Sequence, residues 1–396
     1  MKRIFGTICI CFLAFAAFAG MNDKLSIANN AFAFDLLRQI ATAQPAQNIF
    51  ISPYSVSTVL QMLGNGAVGQ TKTEMQAALK TSGLSEQELN DSAKALNQSL
   101  QSQTSVDLDL ANAIWFEKAL QLKPAFTATN QSSFQAQLAS VNFETPEAAD
   151  TINNWASQNT RGKINNVVSF PFPAKTLLVL ANAIYFKGMW ATPFDKKLTQ
   201  ERDFNLASGI VKQTPMMQQS QKFEYEEDKD FQAVRLPYSG KRLQMVLFLP
   251  ATNSSPLKLL ASFKNRNWNY EIQQAFSERR GTVTFPKFKL NYSILLNDPL
   301  QALGMKQAFI PGSADFSGVA ADPLFISQVL QKSYVDVNEE GTEAAAVTTV
   351  TVAGAVMMRP IPPFQMLLDR PFLFIIVDHT TQTILFMGII NDPTIH

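Results

Sequence analysis

"EEGTEAAAVTTVTVAGAVMMRPIPP" occupies residues 339–363, close to the C-terminus. Between Ala344 and Met358 it carries no charge and no proline, and its side chains are mostly small or β-branched. That composition suits a buried strand, because β-branched residues fit a pleated, half-buried surface. Yet Glu339, Glu340 and Gly341 lead into it and Arg359-Pro360-Ile361-Pro362-Pro363 leaves it, the punctuation of an exposed loop. A single strand assignment leaves that conflict standing, so the rest of the chain has to resolve it.

The chain has 396 residues, 46% hydrophobic and 16% charged, with a formal charge of +1. These are globular values with ample apolar material for a core, and they carry no nucleic-acid footprint. The start, "MKRIFGTICICFLAFAAFAG", puts Lys2 and Arg3 before an apolar run that ends in Ala17-Phe18-Ala19. Small residues after a short apolar core predict a cleaved secretory leader over 1–19 rather than a membrane span. The remaining 20–396 reads as a single domain, since no Pro/Gly/Ser linker divides it. Losing Lys2 and Arg3 takes the formal charge from +1 to −1. The expected location is secreted: extracellular, or periplasmic in a Gram-negative bacterium. Both cysteines, Cys9 and Cys11, lie in the leader, so the mature chain has no disulfide, thiol nucleophile or thiolate metal site. Of the two histidines, His379 sits where an exposed turn is expected and His396 is the last residue, which argues against Ser-His-Asp, Cys-His or histidine-metal chemistry. No catalytic residue, metal or cofactor is expected. Several Asn-X-Ser sequons, for example at Asn97, Asn130, Asn253 and Asn291, matter only in a glycosylating pathway.

Residues 25–41 place Leu25, Ala28, Ala31, Phe32, Leu36 and Ile40 at helical spacing. Ser52 before Pro53 predicts a helix start and Gly64 its end, with apolar residues nearly all round. Thr71 and Glu74 are spaced as a capping box. Residues 105–118 and 176–190 read as buried strands, and 148–164 as an amphipathic helix. Three short strands fall between Phe223 and Leu249, and 280–292 and 324–341 continue the strand pattern. "FLFIIVDHTTQTILFMGII" (372–390) is a hairpin. Helices gather early and strands later, which predicts an α+β fold with several sheets.

"NIFISPYSVSTVLQMLGNGAVGQTKTEM" (48–75), "NAIYFKGMWATPF" (182–194), "VNEEGTEAAAVTT" (337–349) and "DRPFLFIIVDHTTQTILFMGII" (369–390) resemble, in order, the signature segments of the serpin family. The resemblance spans essentially the whole mature chain. It implies three β-sheets, eight or nine helices, and an exposed reactive-centre loop at about 339–363. It also implies suicide-substrate inhibition of serine, sometimes cysteine, proteases. The cut loop would insert as a new central strand and trap the acyl-enzyme, which gives the opening stretch its two destinations. A covalently held target protease is then the partner, and a monomer is expected. The alternative is a non-inhibitory serpin acting as carrier, chaperone or storage protein, whose hinges are usually bulky, charged or proline-interrupted.

Alternation along a strand decides which loop face could be buried. One face holds Thr342, Ala344, Ala346, Thr348, Val350 and Val352; the other holds Glu343, Ala345, Val347, Thr349, Thr351 and Ala353. The first has no charge and is the face to bury. The resemblance implies a hinge and insertion segment running from Glu339, Glu340 and Gly341 through Thr342, Glu343, Ala344, Ala345, Ala346, Thr348, Val350 and Val352. By the family's hinge-to-bond spacing the bait bond is Ala355-Val356, suiting elastase-like or subtilisin-like proteases. Met357 and Met358 are alternatives suited to chymotrypsin-like enzymes, and Arg359 is disfavoured by Pro360. The resemblance also implies a sheet-opening region at Ser52, Ser55, Asn182, Trp190, Lys287 and Gln331. Helix capping (Ser52, Ser55), strand-end bonding (Asn182) and core packing (Trp190) are their ordinary readings. Gln331 stands where many relatives carry histidine, so a pH-sensitive latch is not expected there. Lys287 and Glu339 match a salt bridge read as exposed, contributing about 0–1 kcal/mol. The segment 85–102 has a single lysine, so no heparin site is evident.

Overall fold

A serine and a proline open the helix around which the fold is arranged. Ser52 accepts the amide of Ser55 and Pro53 takes the first turn, so α2 runs Pro53–Gly64 as predicted, buried from Pro53 to Leu63. The computed structural model describes residues 7–103, 105–263, 268, 273–341 and 362–395. Before α2 come α1 (Thr7–Ala43) and β1 (Ile49–Ile51). After it come α3 (Gly69–Ala78), α4 (Glu86–Gln101), β2 (Asp107–Glu117), α5 (Pro124–Phe134), β3 (Gln137–Val141), α6 (Pro146–Asn159) and β4 (Leu178–Lys187). The middle is β5 (Gln200–Asn205), β6 (Val211–Glu227), β7 (Phe231–Pro237), β8 (Leu243–Pro250), α7 (Pro256–Ser262) and α8 (Gln273–Ala275). The chain closes with β9 (Ser277–Pro286), β10 (Phe288–Leu295), α9 (Asn297–Ala302), β11 (Gln328–Val337), β12 (Phe364–Leu367), β13 (Phe372–Asp378) and β14 (Thr383–Ile390).

The strands form a five-stranded sheet, β10-β11-β4-β2-β3, and a nine-stranded network, β1-β14-β13-β8-β7-β6-β9-β12 with β5 on β6. Three sheets were expected, and the long strand β6 explains the difference in count. Along one edge it pairs with β5 at 211–216 and then with β7 at 224–227, while β9 covers 216–225 on the other, so one long strand joins what would otherwise be two sheets. The run 280–292 is divided between sheets: β9 ends at Pro286 and β10 begins at Phe288.

The five-stranded sheet separates two apolar layers. Leu178 and Leu180 of β4 face the core with α1 and α2, whereas Val179, Ala181, Ala183 and Tyr185 face Ile152 and Trp155 of α6. Leu25, Phe32, Leu36 and Ile40 of α1 are buried, as their spacing predicts, but Ala31 is exposed. The capping box is likewise not where the spacing put it. α3 starts at Gly69 with Val68 as an uncapped N-cap. Thr71 Oγ1 accepts the Asp315 amide, and the Glu74 carboxylate accepts the amides of Lys306 and Gln307. The actual capping box is Ser85 with Glu88, at the start of α4. Among the described residues no helix is long and apolar enough to cross a membrane.

Candidate functional site: a parallel seam and its hinge

Two pairings in the five-stranded sheet are parallel, β2 with β3 at its edge and β11 with β4 in its interior. β11 lies antiparallel to β10 but parallel to β4, from Gln328 opposite Val179 to Tyr334 opposite Tyr185. Parallel ladders have slanted bonds and are slightly weaker per residue than antiparallel ones. The chain leaving β11 does not continue outward. Asn338 and Gly341 exchange backbone hydrogen bonds of 2.9 and 3.2 Å across Glu339-Glu340, a two-residue reversal. Gly341 also bridges Met189, two residues beyond the end of β4. The chain has therefore turned back, antiparallel, at the end of the parallel seam.

Only glycine fits that turn. Gly341 has φ +134°, and a Cβ there would lie 2.3 Å from Gly188 O, 2.5 Å from Met189 Cα and 2.7 Å from Trp190 N. All three are backbone atoms, which cannot rotate aside. The two acidic residues of the turn are held by the segment after β4. Glu340 O accepts the Trp190 amide at 3.1 Å and Glu339 O accepts the Phe194 amide at 2.7 Å. Trp190 Nε1 donates to Asn338 O at 2.9 Å, and its ring stacks on Tyr238 at 4.6 Å. Trp190 is thus a core tryptophan that also holds the turn.

The Glu339 salt bridge is not the exposed pair that was expected. Glu339 is 5% exposed, and its carboxylate meets Lys287 Nζ at 3.0 Å and accepts Thr199 Oγ1 at 2.8 Å. Burial pulls its acidity toward the neutral form, but its own amide, Thr199 and Lys287 outweigh that and hold it below the usual glutamate value. Glu340 pairs with Lys196, whose ammonium is held protonated above its ordinary value by that carboxylate. Thr199 and Lys196 lie far from the hinge in sequence, and no local pattern marked them.

Beneath the seam is a buried polar row. Gln331 of β11 and Asn182 of β4 are direct register partners, and so are Asn182 and Asn112 of β2. Gln331 Nε2 donates to Asn182 Oδ1 at 2.7 Å and to Ser52 O at 3.0 Å, and its Oε1 accepts the Ser52 amide at 3.0 Å. Asn182 Nδ2 donates to Ser55 Oγ and to Asn112 Oδ1, and Ser55 donates to Asn112 Oδ1 at 2.7 Å. Ser52 Oγ continues the network to Leu385 O of β14 at 2.7 Å. Three strands, α2 and β14 therefore meet on five polar side chains, four of them about 1% exposed or less. An amide supplies two donors and an acceptor in this row, and it does not titrate. Asn112 was not among the predicted residues. Its signal was present all the same, because Leu-Ala-Asn-Ala-Ile occurs at both 110–114 and 180–184.

The structure thus brings together Ser52, Ser55, Asn182 and Gln331 under the seam, and Trp190, Lys287, Glu339, Glu340 and Gly341 at its end. Thr342, Glu343, Ala344, Ala345, Ala346, Thr348, Val350, Val352, Ala355, Val356, Met357, Met358 and Arg359 lie outside the described residues. The described residues include no group of three or more His, Cys, Asp or Glu arranged to hold a metal.

This is the architecture of a protease-inhibitor family. A family model described as serpin (serine protease inhibitor) matches residues 27–393, and the chain belongs to that family. Leukocyte elastase inhibitor of Bos taurus is 39% identical over 385 residues, covering 94% of this chain and all of the relative. Iripin-2 of Ixodes ricinus is 39% identical over 380 residues, covering 93% of each chain. Among solved structures, native protease nexin-1 with heparin superposes with a TM-score of 0.82 at 30% identity, covering 94% of this chain and all of that one. Human thyroxine-binding globulin, complexed with its hormone, gives 0.84 at 28% identity, covering 95% and 100%.

Proposed function

We propose that this serpin is a suicide-substrate inhibitor of elastase-like or subtilisin-like serine proteases. Serpin loop insertion is an established form of strand addition. The observation that carries the reading is the double bridge of Gly341, to Asn338 on the β11 side and Met189 on the β4 side. Extending both bridges residue by residue would set an inserted Thr342 opposite Val337 and Gly188, and Thr348 between Gln331 and Asn182. The two extensions agree, since Gln331 and Asn182 are already partners across the seam. The same count sets Ala344 opposite Phe186 and Val335, Val350 opposite Leu180 and Val329, and Val352 opposite Leu178. Those β4 and β11 side chains face the inner core. Directly opposed residues share a face, so this register buries the uncharged loop face and leaves Glu343 outward, opposite Lys187. Insertion would replace one parallel pairing by two antiparallel ones.

Val352 reaches the first residue of β4, so a cut at Ala355-Val356 frees enough chain to fill the seam. A small residue before that bond suits a small-residue pocket, and the name of the bovine relative points the same way. Met357 and Met358 remain the alternative bonds, with Arg359 behind them. The reading includes a leader over 1–19, a single domain over 20–396, secretion and a monomeric inhibitor. It includes no heparin requirement, as Lys94 is the single basic residue of α4. The test is incubation with small-residue and chymotrypsin-like proteases, followed by denaturing electrophoresis and mass measurement of the released peptide. A denaturant-resistant complex and a fragment beginning at Val356 are expected. Cleavage with no complex would overturn inhibition in favour of a carrier role.

A further inference from the structure

Five Asn-X-Ser sequons occur in the chain, at Asn90, Asn97, Asn130, Asn253 and Asn291. The fold sorts them sharply. Asn130 is 0% exposed in α5; its Nδ2 donates to Phe126 O at 3.1 Å and its Oδ1 accepts Asn65 at 3.3 Å. Asn90 is 8% exposed in α4 and exchanges side-chain hydrogen bonds of 3.0 and 3.1 Å with Asn65. Asn97 turns its carboxamide inward to the Tyr54 hydroxyl. A sugar on Asn130 or Asn90 would have to stand where helix-packing atoms stand, and one on the half-buried Asn97 would pull its carboxamide off the Tyr54 hydroxyl.

Asn253 is the opposite case. It is exposed in the turn between β8 and α7, closed by Ser254 N to Ala251 O at 2.8 Å, and its carboxamide makes no hydrogen bond with the described residues. The turn also lies away from the hinge. β8 begins at Leu243, beside the Tyr238 that stacks on Trp190, and carries the chain roughly 23 Å from there to Pro250. Asn291 is exposed on the outward face of β10, an edge strand. Its amide nitrogen is free to carry a substituent without displacing the ladder, which uses backbone groups alone.

We propose that Asn253 and Asn291 carry N-linked glycans and that Asn90, Asn97 and Asn130 do not. The donor is a lipid-diphosphate-linked oligosaccharide. The Asn Nδ2 bonds to the anomeric carbon, the bond from that carbon to the diphosphate oxygen breaks, the lipid diphosphate leaves with the electron pair, and Nδ2 gives up one proton. The assignment rests on the secretory reading of residues 1–19, and the test separates the two. The full chain is expressed in a glycosylating eukaryotic cell in two forms, one with its own N-terminus and one with 1–19 replaced by a leader of known secretory function. Glycans are released by an amidase in heavy-oxygen water, which marks each formerly occupied asparagine as labelled aspartate for peptide mass mapping. Marks at Asn253 and Asn291 alone are expected, with Asn253→Gln and Asn291→Gln each removing one glycan increment on a gel. An occupied Asn90, Asn97 or Asn130 in folded secreted protein, or an unmodified Asn253 or Asn291 there, would overturn the assignment. Marks appearing only with the replacement leader would sustain it while refuting the native leader.

Discussion

Gln331→Ala removes the centre of the buried row under the seam. The side chain is 1% exposed and makes three hydrogen bonds, two to Ser52 backbone and one to Asn182. Truncation that leaves a buried partner unsatisfied costs about 1–3 kcal/mol of desolvation per group. With the Ser52 amide and Asn182 Oδ1 both stranded, about 2–6 kcal/mol of stability should be lost, less where water enters the space. The loss falls on the contact between β11 and β4, so the seam should also open more readily. Uncut protein held at 37 °C is expected to lose complex-forming capacity faster than wild type, as the intact loop enters by itself. Guanidinium unfolding measures the first effect, and timed sampling with excess protease measures the second. A stability change under about 1 kcal/mol together with an unchanged decay rate would refute the view that this row locks the seam.

Gly341→Ala sets a Cβ within 2.7 Å of three backbone atoms at φ +134°. A strained backbone of that kind costs about 1–3 kcal/mol, so lower stability and more turnover of the variant as plain substrate are expected; unchanged complex yield would contradict the hinge geometry. Thr342→Arg should be cut normally yet release the protease, because an unpaired buried cation costs several kcal/mol; wild-type adduct yield would refute the burial argument. Glu339→Gln tests the hinge by pH. The folded-state acidity of Glu339 is strengthened, so its contribution is present above the ordinary glutamate value and fades as pH falls through the lower folded value. The variant should be about 1–2 kcal/mol less stable at pH 7, with the difference closing in acid on a urea titration. Arg161→Ala addresses the outer face of the seam. Its guanidinium lies 5.6 Å from the Tyr185 ring and pairs with Asp107 and Asp109, while Tyr185 stacks on its partner Tyr334. Loss of about 0.5–1 kcal/mol there should quicken inhibition modestly, seen in stopped-flow with a labelled protease.

Local chemistry made much of the fold readable. Ser52-Pro53 and Gly64 bounded α2 correctly because capping depends on neighbours a few residues away. Gly341 was readable for the same reason. Burial of Glu339 was not, since it is decided by Thr199 and Lys287, which arrive from connections distant in the sequence. Thr71 and Glu74 misled because both found partners near 306–315, where tertiary contact overrode the local box. The sharing of β6 between two sheets was invisible too: a long strand pattern records its length, not its change of neighbours.

The reversal at Asn338–Gly341 has a consequence for speed. Zipping a strand into a sheet ordinarily begins with a search for the first matching pair, an entropic toll that grows with the length of free chain. Here that first tooth is engaged before any protease arrives, and it admits one alignment only. Under the proposed mechanism, the race between acyl-enzyme hydrolysis and capture would be run against the parting of two strands, not against a random encounter.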